Sequence, residues 1–227
     1  MTNRFCRLRY LMGMGAAQLV SVNVGLPRDV PWKNLEVSTG IFKEPVAGRI
    51  AVRKLNLDGD RQADLSAHGG PNKAVYAYPS EHYPFWKKEL ARDDLSWAGF
   101  GENLTTEGLS EETLCIGDRL RIGSALLVVT QPRIPCFKLA IRIGRDDILK
   151  RFLASGRSGF YFAVMEEGDL AAGDQIHIEH SDPEKVSVAD INRLFTAKED
   201  GRLAQRAIRV DALPESWRVW LTEHVRT

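Results

Sequence analysis

The chain has 227 residues, 44% of them hydrophobic, enough to bury one substantial core with room for a small satellite module. Lys plus Arg (31) nearly cancel Asp plus Glu (30), so the formal net charge of +1 provides no global field to draw nucleic acid or an anionic membrane. Any anion site must therefore be a local cluster. Five Trp and nine Phe exclude a disordered chain, and no apolar run approaches the ~20 residues of a membrane helix.

The three cysteines, Cys6, Cys115 and Cys136, are odd in number and far apart, which excludes a CxxC zinc or redox pair and a disulfide framework. Such usage suits a reducing compartment, and the cytoplasm is the expected location. At the start, Arg4, Arg7 and Arg9 precede a short apolar stretch that soon meets Gln18, too short for a signal peptide. Residues 1–16 read instead as an N-terminal extension, with Met12 or Met14 as alternative starts and residues 1–14 dispensable.

Most of the chain reads as short strands broken by turns. Leu19, Val20, Val22 and Val24 mark a first strand, stopped by Gly25 and Pro27. Arg49 to Leu57 is a second, whose apolar phase slips from Ile50 and Val52 to Leu55 and Leu57, predicting a bulge or bend. Ala74 to Tyr78 is a third, followed by Ser80 as N-cap of a helix through Leu90, with Pro84 in its first turn. Gly117-Asp118 before Leu120 and Ile122, and Gly173-Asp174 before Ile176 and Ile178, each pair a turn with period-two alternation. Gly123-Ser124 predicts a hairpin into Ala125 to Gln131, and Phe160, Phe162 and Val164 give another strand. One helix falls between, capped by Asp146, burying Ile148, Leu149 and Phe152, and stopped by Gly156. Many short strands with few helices predict a mainly β fold, a closed or nearly closed barrel over residues 17–181.

After Asp182-Pro183 the pattern turns helical. Ser187 and Asp190 form a capping box ahead of Ile191, Leu194 and Phe195. Leu203, Ala207 and Ile208 mark a second helix, and Pro214, Trp217, Trp220 and Leu221 a third. This three-helix module, residues 182–227, is too small to bury a core alone and must pack on the barrel or on another subunit.

Chemistry concentrates in Gln131 to Leu139. Pro132 and Pro135 stiffen the backbone beside Cys136, and Arg133 and Lys138 place two cations near its thiol, favouring the thiolate that attacks electrophiles or binds soft metals. Cys115, without such neighbours, reads as core. His68-Gly69-Gly70 offers a possible acid or base and a glycine turn whose N–H groups can face an anion. Asn103 either meets a ligand or holds its own loop's backbone, and Lys43, beside Thr39-Gly40-Ile41-Phe42, reads by default as a solvated cation. His82 carries the ordinary structural reading, and His177 and His180 point to opposite faces of a strand.

Taken in order, Thr39–Pro45, Leu57–Asp64, His68-Gly69-Gly70, Tyr78–Tyr83, Phe100–Leu104 and Gln131–Lys138 closely resemble the MOSC family, named for the C-terminal domain of molybdenum cofactor sulfurases, and most of all its bacterial YiiM-like branch. The resemblance covers residues 17–181, and the tail resembles that branch's three-α domain. It implies a β-barrel in which Cys136 ligates molybdenum of the molybdopterin cofactor. It further implies that Lys43, His68, Asn103, Arg133 and Lys138 line the cofactor's phosphate or its metal-oxo group. The implied activity is reduction of small N-hydroxylated compounds such as hydroxylaminopurine base analogues. A separate electron-donating reductase and a homodimer are the implied partners, with no nucleic acid and no membrane. Two other classes use the same residues: a cofactor carrier or sulfur-transfer module without turnover, and a metal-free hydrolase working through Cys136 and His68.

Overall fold

The computed structural model describes residues 16–63, 69–197 and 199–225. Residues 1–15 of the expected extension, Cys6 and alternative starts included, lie outside the described residues, as does the site candidate His68.

Twelve strands are described, in chain order β1 (Gln18–Val24), β2 (Arg28–Trp32), β3 (Leu35–Thr39), β4 (Glu44–Pro45), β5 (Ile50–Val52), β6 (Val75–Pro79), β7 (Leu104–Glu107), β8 (Arg119–Ile122), β9 (Ala125–Pro132), β10 (Phe160–Glu166), β11 (Gly168–Leu170) and β12 (Ile176–His180). Helices α1 (Tyr83–Leu90), α2 (Phe137–Ile143) and α3 (Ile148–Ser155) interrupt the strands; α4 (Val188–Ala197), α5 (Gly201–Ile208) and α6 (Glu215–His224) follow them.

The main sheet runs β12-β8-β9-β10-β6-β7-β1-β4, with β6 and β7 the parallel pair. It closes on itself. Gln18 of β1 bridges Gln175, and Leu19 N to Asp174 O (2.9 Å), Gly173 N to Leu19 O (2.7 Å) and Ile176 N to Ala17 O (2.8 Å) stitch the seam. Closure leaves few unpaired backbone groups at an edge. Period-two alternation puts Leu120 and Ile122, Leu127 and Val129, and Phe160 and Phe162 inside, each 0% exposed. Gly123, at φ 57, turns β8 into β9 where a Cβ would overlap the Asp169 carbonyl.

Several local expectations are corrected. The strand over 49–57 is only Ile50–Val52; the chain then folds back, so that Leu57 bridges Val52 and Asp58 N reaches Ala51 O at 2.9 Å. The phase slip marks that reversal. Ser80 lies in a 3-10 turn, and its hydroxyl meets Glu81 at 3.3 Å; α1 begins later, at Tyr83, with Pro84 in its first turn. Asp147, not Asp146, stands at the start of α3, and its carboxylate pairs with Arg145 and Arg151 instead of capping. The β2–β3 hairpin and α2 have no counterpart in the expectations.

The capping box of α4 is reciprocal: Asp190 N to Ser187 Oγ and Ser187 N to Asp190 Oδ2, both 3.0 Å. Val188, Ile191, Leu203, Ala207, Trp217 and Leu221 share one continuous core with Leu127, Val129 and Phe162, so the C-terminal helices pack on their own barrel. A second core gathers Tyr78, Tyr83, Trp86, Phe100, Leu139, Ile143 and Phe152 between α1, α2, α3 and the outer face of β6. Here Tyr78 stacks on Phe100 with ring centroids 4.6 Å apart, and Trp86 on Phe152 at 5.9 Å.

Candidate functional site

Where the two cores meet, a cleft of about 650 Å³, counting its open mouth, is lined by four stretches of backbone. The segment Thr39–Lys43 leaves β3; Arg61–Ala63 follows the Asp58-Gly59-Asp60 turn; Gly101 and Asn103 lead into β7; Arg133–Lys138 leave β9. Lys73, Tyr76 and Tyr161 complete the described lining.

Cys136 sits half-buried at this cleft, in extended conformation (φ −123°, ψ 172°) immediately before α2, and its carbonyl accepts from Leu139 N at 2.9 Å. No disulfide joins it to Cys115, which is buried and bridges Ser187 as a core residue. The two prolines hold the cysteine's approach, and the unanticipated α2 fixes its exit by burying Leu139, Ala140 and Ile143.

Lys43 is not a solvated surface cation. It is 7% exposed and donates to Asp60, itself 2% exposed. Asp60 Oδ1 also accepts from Gly25 N at 3.0 Å, and its Oδ2 from Asn103 Nδ2 at 2.9 Å. Burial pushes the Lys43 ammonium below its ordinary value; Asp60 opposes that shift and Arg133 adds to it. Asp60 is thus the main group that favours the charged form of Lys43 against burial.

Asn103 lines the cleft, yet its amide is committed inside the protein. Its Oδ1 accepts from Tyr76 N (3.1 Å), and its Nδ2 donates to Asp60 and to Asn23 O (3.4 Å). It is a strut joining β1, β6 and Asp60. The backbone that its side chain holds belongs to β1 and β6, not to its own loop.

Arg133, 6% exposed, donates to Phe100 O and lies over the Tyr76 ring, 4.7 Å from its centroid. Burial opposes its charge, but Tyr76, Tyr161 and Cys136 together hold it above its ordinary value. Glu102, fully buried, organises the loop that meets it, accepting from Tyr83, from Ala98 N (2.9 Å) and from Phe100 N (3.1 Å). At Gly101, φ is +76° and a Cβ would lie 2.5 Å from Ile41 Cγ1, so only glycine lets this loop close on the cleft.

Lys43, Arg61, Lys73, Arg133 and Lys138 therefore surround one thiol, with no carboxylate among the described lining residues. In a chain of net charge +1, this is a strictly local positive field. Arg61, Lys73, Tyr76 and Tyr161 were not anticipated. Lys73 had a signal, since it ends the Gly69-Gly70-Pro71-Asn72 turn already read as anion-facing. Tyr76 and Tyr161 had none; they meet across β6 and β10, ring centroids 5.0 Å apart. His82 lies elsewhere, 2.8 Å from the buried Glu111, which also accepts from Gly159 N.

The closed barrel agrees with comparisons to known proteins. The sequence profile of the MOSC domain matches residues 64–177, and the chain belongs to the MOSC domain family. The crystal structure of YiiM from Geobacillus stearothermophilus superposes with a TM-score of 0.78 at 34% identity, covering 92% of this chain and all (100%) of that one. YiiM from Escherichia coli superposes at 0.71 with 26% identity over 93% of this chain and 92% of its own, placing the chain on the YiiM-like branch. The uncharacterized protein YflK of Bacillus subtilis is 41% identical over 201 residues, 88% of this chain and 90% of its own. A Gibberella moniliformis protein named a reductase is 37% identical over 166 residues, 72% of this chain but 29% of its own length.

Proposed function

We propose that the chain is a molybdenum-cofactor-dependent reductase of small N-hydroxylated compounds. The observation that carries this reading is the cleft itself: one thiol ringed by five cations, with no carboxylate among the described lining residues. That donor set fits the group. A thiolate suits a soft or borderline metal, and fixed cations suit an anionic, phosphate-bearing pterin. Membership of the MOSC family and the reductase named in Gibberella moniliformis support it.

Cys136 would be the metal's protein ligand, and its neighbouring cations favour the thiolate that ligation needs. Arg133 and Lys43, both held by buried partners, present charge in fixed places. Arg61, Lys73 and Lys138 reach the same cleft from three separate segments and would hold the phosphate. When bound, the cofactor supplies the two-electron redox centre. The overall change, R–NHOH plus two electrons and two protons giving R–NH2 and water, needs electrons from a separate reductase. Homodimeric assembly and a cytoplasmic site of action belong to the same proposal; among the described residues, no helix is long and apolar enough to cross a membrane.

The deciding test against a carrier without turnover is reduction of a hydroxylamine by cofactor-loaded protein with a chemical electron donor. Turnover that stops when the protein is made in molybdenum-starved cells supports the reductase. Loaded protein that never turns over would leave a carrier, and ester or amide hydrolysis, with no hydroxylamine reduction, by protein from starved cells would point to a metal-free hydrolase.

A further inference from the structure

Among the described residues, the C-terminal helices contribute none to the cleft lining, yet a hydrogen-bonded line runs from them to the cleft's basic wall. Trp217 of α6, 8% exposed, donates its indole N–H to Gln131 Oε1 at 2.7 Å. Gln131, 4% exposed, stands on β9 two residues before Arg133, and its Nε2 donates to Asn72 O at 3.2 Å. Thr130 Oγ1 meets the same carbonyl at 2.7 Å. Asn72 precedes Lys73 in the short turn that starts from Gly70 at φ 88°, and Lys73 lines the cleft with Cys136.

The amide of Gln131 can satisfy this line in one orientation only. Its oxygen must face the indole N–H and its NH2 the Asn72 carbonyl, because an indole cannot accept and a carbonyl cannot donate. The line therefore has a direction, from helix to strand to turn. Packing of Trp217 against Phe195 (centroids 5.7 Å) and Trp220 (5.9 Å) explains its ring but not the placement of its N–H.

We propose that Trp217, acting through Gln131 and the Asn72 carbonyl, is a positioning residue that sets the Lys73 cation with respect to the Cys136 thiol. The C-terminal helices thereby tune how strongly the cleft holds an anion. This rests on reading the cleft as an anion-holding site around Cys136, but it needs no cofactor to be tested. Loosening the turn shifts the backbone that carries Lys73 and weakens the local positive field.

The experiment uses the full chain and follows hydrogen exchange of the 69–74 turn, where Lys73 N donates to Gly70 O at 3.0 Å. It also follows the protection of Cys136 from iodoacetamide by added inorganic phosphate at one fixed pH, resolved from Cys6 and Cys115 by peptide mass spectrometry. Trp217→Phe keeps the aromatic ring and removes the donor; Gln131→Leu cuts both links at the next point. Each should speed exchange in the turn and weaken phosphate protection about threefold or more, and the double variant should go little further than either single one. Trp220→Phe, in the same aromatic cluster, should match the wild type. A folded Trp217→Phe or Gln131→Leu protein with wild-type exchange and protection overturns the proposal, as does a Trp220→Phe protein that shifts equally. A wild-type Cys136 indifferent to phosphate would instead count against the anion reading of the cleft, while exchange in the turn still judges the positioning role.

Discussion

Replacing Asp60 by alanine should be among the most damaging single changes near the cleft. Its carboxylate is 2% exposed and takes hydrogen bonds from Lys43, from Gly25 N at 3.0 Å and from Asn103 Nδ2 at 2.9 Å. Asp60→Ala leaves two neutral donors without an acceptor and strands a buried ammonium. Breaking a buried pair from one side costs about 3–5 kcal/mol, against about 0–1 kcal/mol for an exposed pair. For a chain of this size that is a fall in Tm of roughly 6–20 °C. Lys43→Met added to Asp60→Ala removes the stranded charge, so the double variant should be more stable than Asp60→Ala by about 1 kcal/mol or more. The pH dependence follows from the direction of the Lys43 shift. Burial already lowers it, so between its folded value and the ordinary 10.5 the unfolded chain binds more protons and stability rises with pH. Without Asp60 the folded value drops further and the window opens at lower pH. The deficit of Asp60→Ala should therefore shrink as pH rises from neutrality toward the ordinary lysine value of 10.5, measured by urea unfolding. A cost under about 1 kcal/mol, or a deficit that grows with pH, would refute this account of the pair.

Two further substitutions probe the cleft's frame. Gly101→Ala, at φ +76° with its new Cβ 2.5 Å from Ile41 Cγ1, should lose about 2 kcal/mol in urea unfolding; a change near zero would mean the loop is not held as described. Arg133→Lys cannot keep both the bond to Phe100 O and the stacking over Tyr76, and titration calorimetry should show inorganic phosphate binding about tenfold more weakly. Unchanged affinity would remove Arg133 from the anion site.

The parts of the molecule legible in the sequence are those whose signals are local. Alternation in Leu120 to Val129 and Phe160 to Val164 revealed barrel strands, because a half-buried strand writes its burial with period two. The Ser187–Asp190 box was readable because both partners lie within one turn. Less legible were elements without their own pattern. In β2 and β3 most positions are exposed or half-buried and Pro31 interrupts the run, while α2 spans only seven residues after a proline-rich segment. The site divided the same way. Cys136 announced itself through adjacent prolines and cations. Lys43 was read as solvated because its partner, Asp60, arrives from 17 residues on, and Tyr76 and Tyr161 become neighbours only through strand pairing. Long-range juxtaposition leaves no mark in a single sequence.

The central claim is that Cys136 holds molybdenum at this basic cleft. Its most direct measurement is elemental analysis of wild-type and Cys136→Ala protein, both made in a host that synthesises the cofactor, with the fold of each verified by circular dichroism. The account predicts near-stoichiometric molybdenum in the wild type and its loss from the folded variant, together with hydroxylamine reduction. Equal molybdenum in the two proteins, or full activity in Cys136→Ala, would contradict it.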